Sequence, residues 1–271
     1  MSLLAAGRRL EIGGLRLEVV RLLATGASAH VYLARGDASG EAVGEDGRCV
    51  LKVFLPPSRL GPGAEPVTAA GLAAARTLQR REAGRLARLD HPNVVRLLGV
   101  GRLELSPEER MLAPGLAPVV HLPALCLSHV EGVPLLLAFD LLDLAPEQIL
   151  HALSRVADAL AHIHERRVLH NDVKSDNVLV RRADLEPVLV DFGGAGRSRS
   201  RDLVQLGELI AAVSVQAVHR LEPVAAAELT ACAAALRSNR EGSSGGPWWS
   251  AERAAGALAR LVAPEESAGS C

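Results

Sequence analysis

Three polar residues with complementary chemistry, Asp172, Lys174 and Asn177, lie within six positions in the middle of the chain. The apolar runs on either side, 168–169 and 178–180, predict two short strands that bracket an ordered loop. The carboxylate can orient an attacking hydroxyl, the ammonium can neutralise a phosphate, and the amide oxygen can ligate Mg²⁺. This combination suits phosphoryl transfer, although a surface turn rich in Asp and Asn uses the same residue types.

A second polar group follows the apolar run 188–190, where Asp191, Phe192 and Gly193 stand in succession. The residues from His170 to Asn177 resemble the catalytic loop H-x-D-x-K-x-x-N of the eukaryotic-type protein kinases, and residues 191–193 resemble their D-F-G motif. Phe192 is one of only three phenylalanines in the chain, which weakens the case for a chance match.

The resemblance implies ATP and Mg²⁺ as cofactors and a role for each polar residue. Asp172 would orient the acceptor hydroxyl, and Lys174 would screen the transferred phosphoryl group. Asn177 and Asp191 would hold the metal ion. Lys174 is the choice typical of serine/threonine kinases.

A lysine inside an apolar run carries the next part of the resemblance. The run 49–54 predicts a strand, and Lys52 within it needs a counter-charge because an unpaired buried charge is costly. Lys52 resembles the lysine of V-A-I-K, which reaches the α- and β-phosphates. Glu82 lies nine residues before His91, in a segment similar to h-P-N-I-V. This is where the family keeps the partner of that lysine, although a solvated helix carboxylate is the simpler alternative.

Further residues fall where the family binds the nucleotide. The turn around Gly26 resembles the glycine-rich loop, but Ala24 and Ala29 replace its first and third glycines. Val50 stands where the family usually has alanine, so its larger side chain can narrow the pocket. The nucleotide-binding residues that the resemblance implies are Gly26, Val31, Val50, Lys52, Ser128, Val130 and Leu179.

Hydrophobic patterns place these residues on elements. Alternation predicts a hairpin at 11–35, and helical spacing predicts helices at 67–89 and 146–164 and further helices at 223–237 and about 249–262. Residues 36–48, 55–66 and 238–246 read as loops, and 103–121 as a polar insertion between strands. The resemblance implies an α+β, protein-kinase-like bilobal fold: a β-rich N-lobe at 15–131 and an α-rich C-lobe at 132–264, forming one catalytic domain.

The chain departs from the family after Asp191. Only ten residues, 192–201, separate it from Asp202, which begins a segment similar to the αF motif D-x-W-S-x-G. That interval normally holds the activation loop, the peptide-docking P+1 loop and A-P-E. Asn171 also replaces the H-R-D arginine that receives an activation-loop phosphate. We therefore expect activity without a phosphorylation switch.

Composition sets outer bounds. Hydrophobic residues make up 49% of the 271, and the net charge of −1 gives no support to nucleic-acid or membrane partners. Residues 1–15 lack the apolar core of a signal peptide, and the longest apolar runs are too short to span a bilayer. Four cysteines without C-x-x-C spacing read as free thiols. We expect a soluble, cytoplasmic protein.

Three functions compete. A serine/threonine-type protein kinase comes first because of Lys174 and the complete set of polar residues. A kinase for a small molecule or another non-peptide hydroxyl acceptor comes second, since the peptide-docking segment is missing. A nucleotide-binding pseudokinase scaffold comes third, because two loop glycines are lost and Val50 is bulky.

Overall fold

The computed structural model describes residues 2–36, 47–56, 66–112, 114–116, 118–194, 196, 198–238 and 250–262. The backbone separates into two compact units: unit 1 is Met1–Ala87 and Val95–His129, and unit 2 is Arg88–Val94 and Val130–Cys271. The predicted loops at 36–48, 55–66 and 238–246 fall largely outside the described residues.

Unit 1 is built on one antiparallel sheet of six strands in the order β1-β2-β3-β4-β6-β5. The strands are β1 (Arg9–Ile12), β2 (Leu15–Thr25), β3 (Ala29–Gly36), β4 (Arg48–Phe54), β5 (Leu97–Glu104) and β6 (His121–Ser128). The pairing of β2 with β3 confirms the predicted hairpin, and β4 confirms the predicted strand at 49–54. Helix α1 (Ala69–Leu86) begins after Thr68, whose Oγ1 accepts a hydrogen bond from the Gly71 amide.

Strand pleating gives the central strands two distinct faces. Tyr32, Leu51 and Cys126 lie on one face and are fully buried in the apolar core of unit 1. Val31 pairs with Lys52 across the sheet, and Val50 lies two residues before Lys52, so these three share the opposite face. Val31 and Val50 are only partly buried there. The alternation in the sequence therefore separates core residues from candidate ligand-binding residues.

The segment 103–121 is more ordered than its sequence predicts. It contains helix α2 (Pro107–Leu112) and a 3₁₀ turn at Pro114–Leu116 between β5 and β6. Leu105, Leu116 and Val119 are buried in the core of unit 1. The expectation of a polar insertion was wrong in this respect, because these apolar residues follow no helical or strand period that would reveal them.

Unit 2 is mainly helical. Its helices are α3 (Leu135–Leu141), α4 (Pro146–Glu165), α5 (Arg199–Gln216), α6 (Pro223–Arg237) and α7 (Ala251–Val262). Three of them confirm the predicted helices at 146–164, 223–237 and about 249–262. A small sheet, β7 (Gly132–Pro134), β8 (Val178–Arg181) and β9 (Pro187–Leu189), completes the unit. Strand-rich unit 1 and helical unit 2 confirm the predicted α+β class.

The predicted strand before the central loop does not form. Residues 168–173 have no regular secondary structure, whereas β8 follows the loop as predicted. Val168 is buried, and its amide donates to the Ile163 carbonyl at the end of α4. The apolar pair at 168–169 therefore reflects burial against a helix end and not strand pairing.

No helix in the described ranges is long and apolar enough to cross a lipid bilayer.

The packing of α5 against α6 depends on a glycine. A Cβ atom at Gly207 would lie 2.9 Å from the Ala233 carbonyl oxygen and 2.9 Å from Leu236 Cβ. We expect Gly207→Ala to lower the free energy of unfolding by about 1–3 kcal/mol through overpacking. The matched control is Gly84→Ala in α1, where an added Cβ meets nothing within 4 Å. That change should be neutral or raise stability by up to about 1 kcal/mol. Urea denaturation measures both, and equal effects would contradict this packing argument.

Candidate active site

In unit 1, Lys52 and Glu82 form a buried ion pair. The Lys52 Nζ atom lies 2.9 Å from Glu82 Oε1 and 2.8 Å from Oε2. The two side chains are 10% and 1% exposed, so each charge depends on the other for compensation. Strand β4 places the lysine and helix α1 places the glutamate. The pair expected from the nine-residue spacing is therefore present, and a solvated helix carboxylate is excluded for Glu82.

The other candidate nucleotide-binding residues of unit 1 lie on or beside its sheet. Gly26 is in the exposed turn between β2 and β3, where its amide donates to the Ala29 carbonyl at 2.8 Å. Its φ is not positive, unlike that of Gly7, Gly13, Gly14 and Gly47. This turn therefore does not require a left-handed glycine, which fits a sequence with alanines at the neighbouring positions.

Ser128 ends β6, and its backbone amide already donates to the Arg96 carbonyl at 2.9 Å. Its hydroxyl accepts a hydrogen bond from the Arg96 amide, also at 2.9 Å. The Ser128 amide and hydroxyl are therefore both engaged with Arg96. Val130 and Leu179 are both partly buried and both belong to unit 2.

In unit 2, the central loop brings Asp172, Lys174 and Asn177 into direct contact. The Asp172 carboxylate accepts hydrogen bonds from Lys174 Nζ and from Asn177 Nδ2, each at 2.8 Å. Asn177 Nδ2 also donates to the backbone carbonyl of Asp172 at 2.8 Å. The hydrogen bond with Asp172 raises the pKa of Lys174, so this side chain stays protonated. The carboxylate is thus held in place while one-third of its side chain remains exposed.

His170 anchors the start of this loop. It is fully buried, and its Nε2 lies 3.1 Å from the Val190 carbonyl while its Nδ1 accepts from the Asp172 amide at 3.3 Å. These partners require a neutral ring that carries its proton on Nε2. Burial lowers the pKa of His170, which favours the same neutral form. The Phe192 ring packs on it at a centroid distance of 4.6 Å.

A buried carboxylate on α5 holds the backbone of the loop. Asp202 is fully buried and accepts from the amides of His170 (3.1 Å) and Asn171 (2.5 Å). Its Oδ2 also lies 2.9 Å from His164 Nε2 at the end of α4. The sequence identified Asp202 as the start of a helix motif but did not predict that its carboxylate binds the loop backbone. The signal for this contact was an acidic residue on an otherwise apolar helix face.

Asn177 and Asp191 are adjacent through the backbone, since the Val190 amide donates to the Asn177 carbonyl at 2.9 Å. The resemblance to the protein kinases implies that both residues are metal ligands, and their donor atoms suit a hard cation. Both recorded hydrogen bonds of the Asn177 side chain are donated by its nitrogen, which leaves the amide oxygen for a ligand. In the described part of the chain, no group of three or more His, Cys, Asp or Glu residues is arranged to hold a metal ion.

The shortened segment after Asp191 packs closely on the central loop. A Cβ atom at Gly194 would meet the His170 carbonyl and would lie 3.0 Å from the Asn171 carbonyl carbon. One at Gly196 would meet the Asn171 side chain, with 2.6 Å to its Cγ. Asn171 itself has φ 65° and is buried, and neither polar atom of its side chain has a hydrogen-bond partner among the described residues. Glycines are therefore required where this segment crosses the loop.

An added Cβ at Gly194 would meet backbone atoms, whereas one at Gly196 would meet the Asn171 side chain, and this difference can be tested. Gly196→Ala should cost about 1–3 kcal/mol of unfolding free energy by overpacking, and Asn171→Gly should restore most of it by removing the opposing side chain. Glycine also suits the left-handed backbone at position 171. Gly194→Ala should not be rescued, because it meets backbone atoms. Urea denaturation of the double-mutant cycles measures the coupling, and additive effects of Gly196→Ala and Asn171→Gly would contradict this packing.

Comparison with known proteins agrees with this geometry. The family described as "Protein kinase domain" matches residues 72–208, just over half of the chain. Leucine-rich repeat serine/threonine-protein kinase 1 of Caenorhabditis elegans is 31% identical over 206 residues, covering 68% of this chain and 8% of that protein. Human serine/threonine-protein kinase Kist is 30% identical over 199 residues, covering 72% of this chain and 42% of Kist. The chain thus aligns with less than half of the length of either relative.

The solved kinase domain of Mycobacterium tuberculosis PknI has a TM-score of 0.58 with this chain at 22% identity, covering 95% of this chain and 99% of that domain. This likeness confirms the predicted protein-kinase-like fold. Together with the family match over 72–208, it shows that the chain belongs to the protein kinase domain family, as a divergent member in which only ten residues separate Asp191 from Asp202.

Proposed function

We propose that this chain is an ATP-dependent phosphotransferase of the serine/threonine-kinase type, which transfers the γ-phosphoryl group of ATP to a hydroxyl. The observation that carries the proposal is the hydrogen-bonded group of Asp172, Lys174 and Asn177. A structural turn has no need of an ammonium and a carboxamide that converge on one partly exposed carboxylate. The proposal takes residues 15–264 as one catalytic domain.

Asp172 would accept a hydrogen bond from the acceptor hydroxyl and align it for attack. Asn177 and Lys174 hold its carboxylate in one orientation, so the geometry is prepared before the acceptor arrives. Lys174 carries a positive charge beside that carboxylate, and it would offset negative charge on the phosphoryl group during transfer. Transfer would form the bond between the acceptor oxygen and the γ-phosphorus and break the bond from the γ-phosphorus to the bridging oxygen, which leaves with ADP. The hydroxyl proton would pass to Asp172 and then to solvent.

Mg²⁺ is the metal that the donor set fits best. Asn177 supplies an amide oxygen and Asp191 a carboxylate, and Mg²⁺ typically takes one or two protein oxygens while nucleotide phosphates and water complete its shell. When bound, the ion would neutralise phosphate charge.

Lys52 would bind the α- and β-phosphates of ATP, and Glu82 would orient it. The ion pair keeps the ammonium extended and charged at a position that is 8% exposed. We propose that Gly26, Val31, Val50, Ser128, Val130 and Leu179 contribute to nucleotide binding, with Ser128 acting through its carbonyl because its amide is already paired.

Two substitutions separate nucleotide binding from transfer. We expect Lys52→Ala to weaken binding of ATP·Mg²⁺ by about tenfold or more, since it removes the phosphate contact and the ion pair with Glu82. Asp172→Asn should reduce transfer by at least about a hundredfold with nearly unchanged ATP affinity, because Asp172 addresses the acceptor. Titration calorimetry and a γ-phosphoryl transfer assay measure the two effects.

Arg35→Ala is a suitable control for both substitutions. Arg35 forms an exposed ion pair with Glu18 on the same sheet, and its loss should leave binding and transfer unchanged. Unchanged ATP affinity in Lys52→Ala would refute the assigned role of this pair. Wild-type protein that binds ATP and phosphorylates no acceptor, itself included, would establish the pseudokinase alternative.

Two classes of acceptor are considered, a protein hydroxyl and a small-molecule hydroxyl. Kinase relatives favour a protein hydroxyl, whereas the ten-residue interval after Asp191 leaves no P+1 segment to hold an extended peptide. We propose a protein acceptor recognised with little sequence selectivity, without nucleic-acid or membrane partners. The four cysteines show no C-x-x-C spacing, and we propose a reducing, cytoplasmic location.

We also propose that activity needs no phosphorylation of the short segment. Ser198 caps α5, its Oγ accepting from the Ser200 amide at 3.1 Å, so Ser198→Ala would remove a helix cap as well as a phosphorylation site. The cleaner variant is Ser198→Asn with Ser200→Ala, which keeps a cap acceptor and cannot be phosphorylated. We expect its turnover to stay within about threefold of wild type, because Asn171 cannot pair with a phosphate as arginine does.

The matched comparison is Ser198→Asp with Ser200→Asp, which adds two negative charges. A large loss of turnover in the Asn/Ala protein, restored in the Asp/Asp protein, would show that a phosphorylation switch survives here.

A further inference from the structure

Gln205 of α5 contacts the backbone on both sides of Asp172. Its Oε1 accepts from the Val173 amide at 3.1 Å, and its Nε2 donates to the Asn171 carbonyl at 3.4 Å. Asn171 and Val173 are the two residues that flank Asp172. Gln205 is only partly buried, yet both ends of its amide are engaged with the loop.

The orientation of this amide is determined by its partners. A backbone N–H at residue 173 can only donate and a backbone carbonyl at residue 171 can only accept, so the oxygen and nitrogen of Gln205 cannot be exchanged. Asn and Gln are the side chains that offer a donor and an acceptor on one planar group. Glutamine is therefore a specific choice here, since leucine would offer neither group and glutamate would lack the donor.

Asp202 and Gln205, which are neighbours on α5, bind different backbone groups of the loop. Asp202 accepts from the amides of His170 and Asn171, ahead of Asp172. Gln205, almost one helical turn later, takes the carbonyl of Asn171 and the amide of Val173. The Cα atom of Asp172 thus lies between two peptide groups that α5 holds directly.

We propose that Gln205 is a positioning residue for Asp172, fixing the catalytic loop from α5 in a chain that lacks an activation loop to order it. The inference rests on the proposed phosphotransferase function and deepens it. Gln205 acts through the backbone, so its loss removes the hydrogen bonds to the Asn171 carbonyl and the Val173 amide beside Asp172. Lys52 lies in unit 1, and the Asn177 side chain keeps its own hydrogen bonds to Asp172.

The test compares Gln205→Leu with Gln216→Leu. Gln216 is on the same helix but donates to the Leu136 carbonyl and not to the peptide groups beside Asp172. We expect Gln205→Leu to lower kcat by about tenfold or more through misplacement of Asp172, with ATP affinity within about twofold of wild type. Gln216→Leu should change kcat by less than about twofold by the same reasoning.

A pH profile separates positioning from simple packing. Gln205→Glu keeps the acceptor for Val173 but sets a carboxylate oxygen against the Asn171 carbonyl. Protonation restores a donor, so the activity of this variant relative to wild type should rise as the pH is lowered. If Gln205 had a purely structural role, the activity of Gln205→Glu relative to wild type would not change with pH.

Amide hydrogen exchange supplies a readout that does not depend on activity. The Val173 amide should exchange at least about tenfold faster in Gln205→Leu than in wild type, because its acceptor is gone, and at the wild-type rate in Gln216→Leu. Unchanged exchange, or an unchanged kcat in a folded Gln205→Leu protein, overturns the positioning role. A wild-type protein that transfers nothing overturns the proposed function, while exchange at Val173 still decides whether Gln205 holds the loop.

Discussion

The buried carboxylate of Asp202 is the contact on which the candidate catalytic loop depends. It is fully buried, and its hydrogen bonds join the end of α4, through His164, to the backbone of His170 and Asn171. A carboxylate removed from water is stable only when its oxygens are fully paired. The loop supplies two of the three hydrogen-bonding groups around this carboxylate, so a change in the loop conformation would leave only His164 beside it.

This requirement explains why so short a segment can follow Asp191. In a kinase with a long activation loop, order in the catalytic region responds to phosphorylation. Here, the backbone around Asp172 is held by Asp202 and Gln205, and Gly194 and Gly196 pack against it at close range. Order is supplied by permanent contacts within unit 2, and serine phosphorylation has no arginine at position 171 to engage.

The same need to compensate a buried charge applies to the Lys52–Glu82 pair in unit 1. A lysine that is 8% exposed needs compensation, and the glutamate that compensates it is 1% exposed. Neither charge is favourable alone, and their pairing contributes little net stability once desolvation is counted. Two apolar residues could fill the same space at lower cost, and we propose that the ion pair serves to bind phosphate.

The sequence by itself determined the elements whose signal is local. Alternation located β2 and β3, an apolar run located β4, and an apolar stripe located α4. The ion pair between Lys52 and Glu82 was predicted from the resemblance to the protein kinases, which keep the glutamate nine residues before the position of His91. Only the tertiary structure decided which backbone groups the buried polar side chains contact. The burial of Leu116 and Val119 and the contacts of Asp202 and Gln205 depend on residues far apart in the chain. The pair at 168–169 forms no strand because it packs at the end of α4. No local sequence pattern encodes such contacts. A carboxylate or amide on a helix face gives the same sequence pattern whether its side chain is solvated or hydrogen-bonded to a loop.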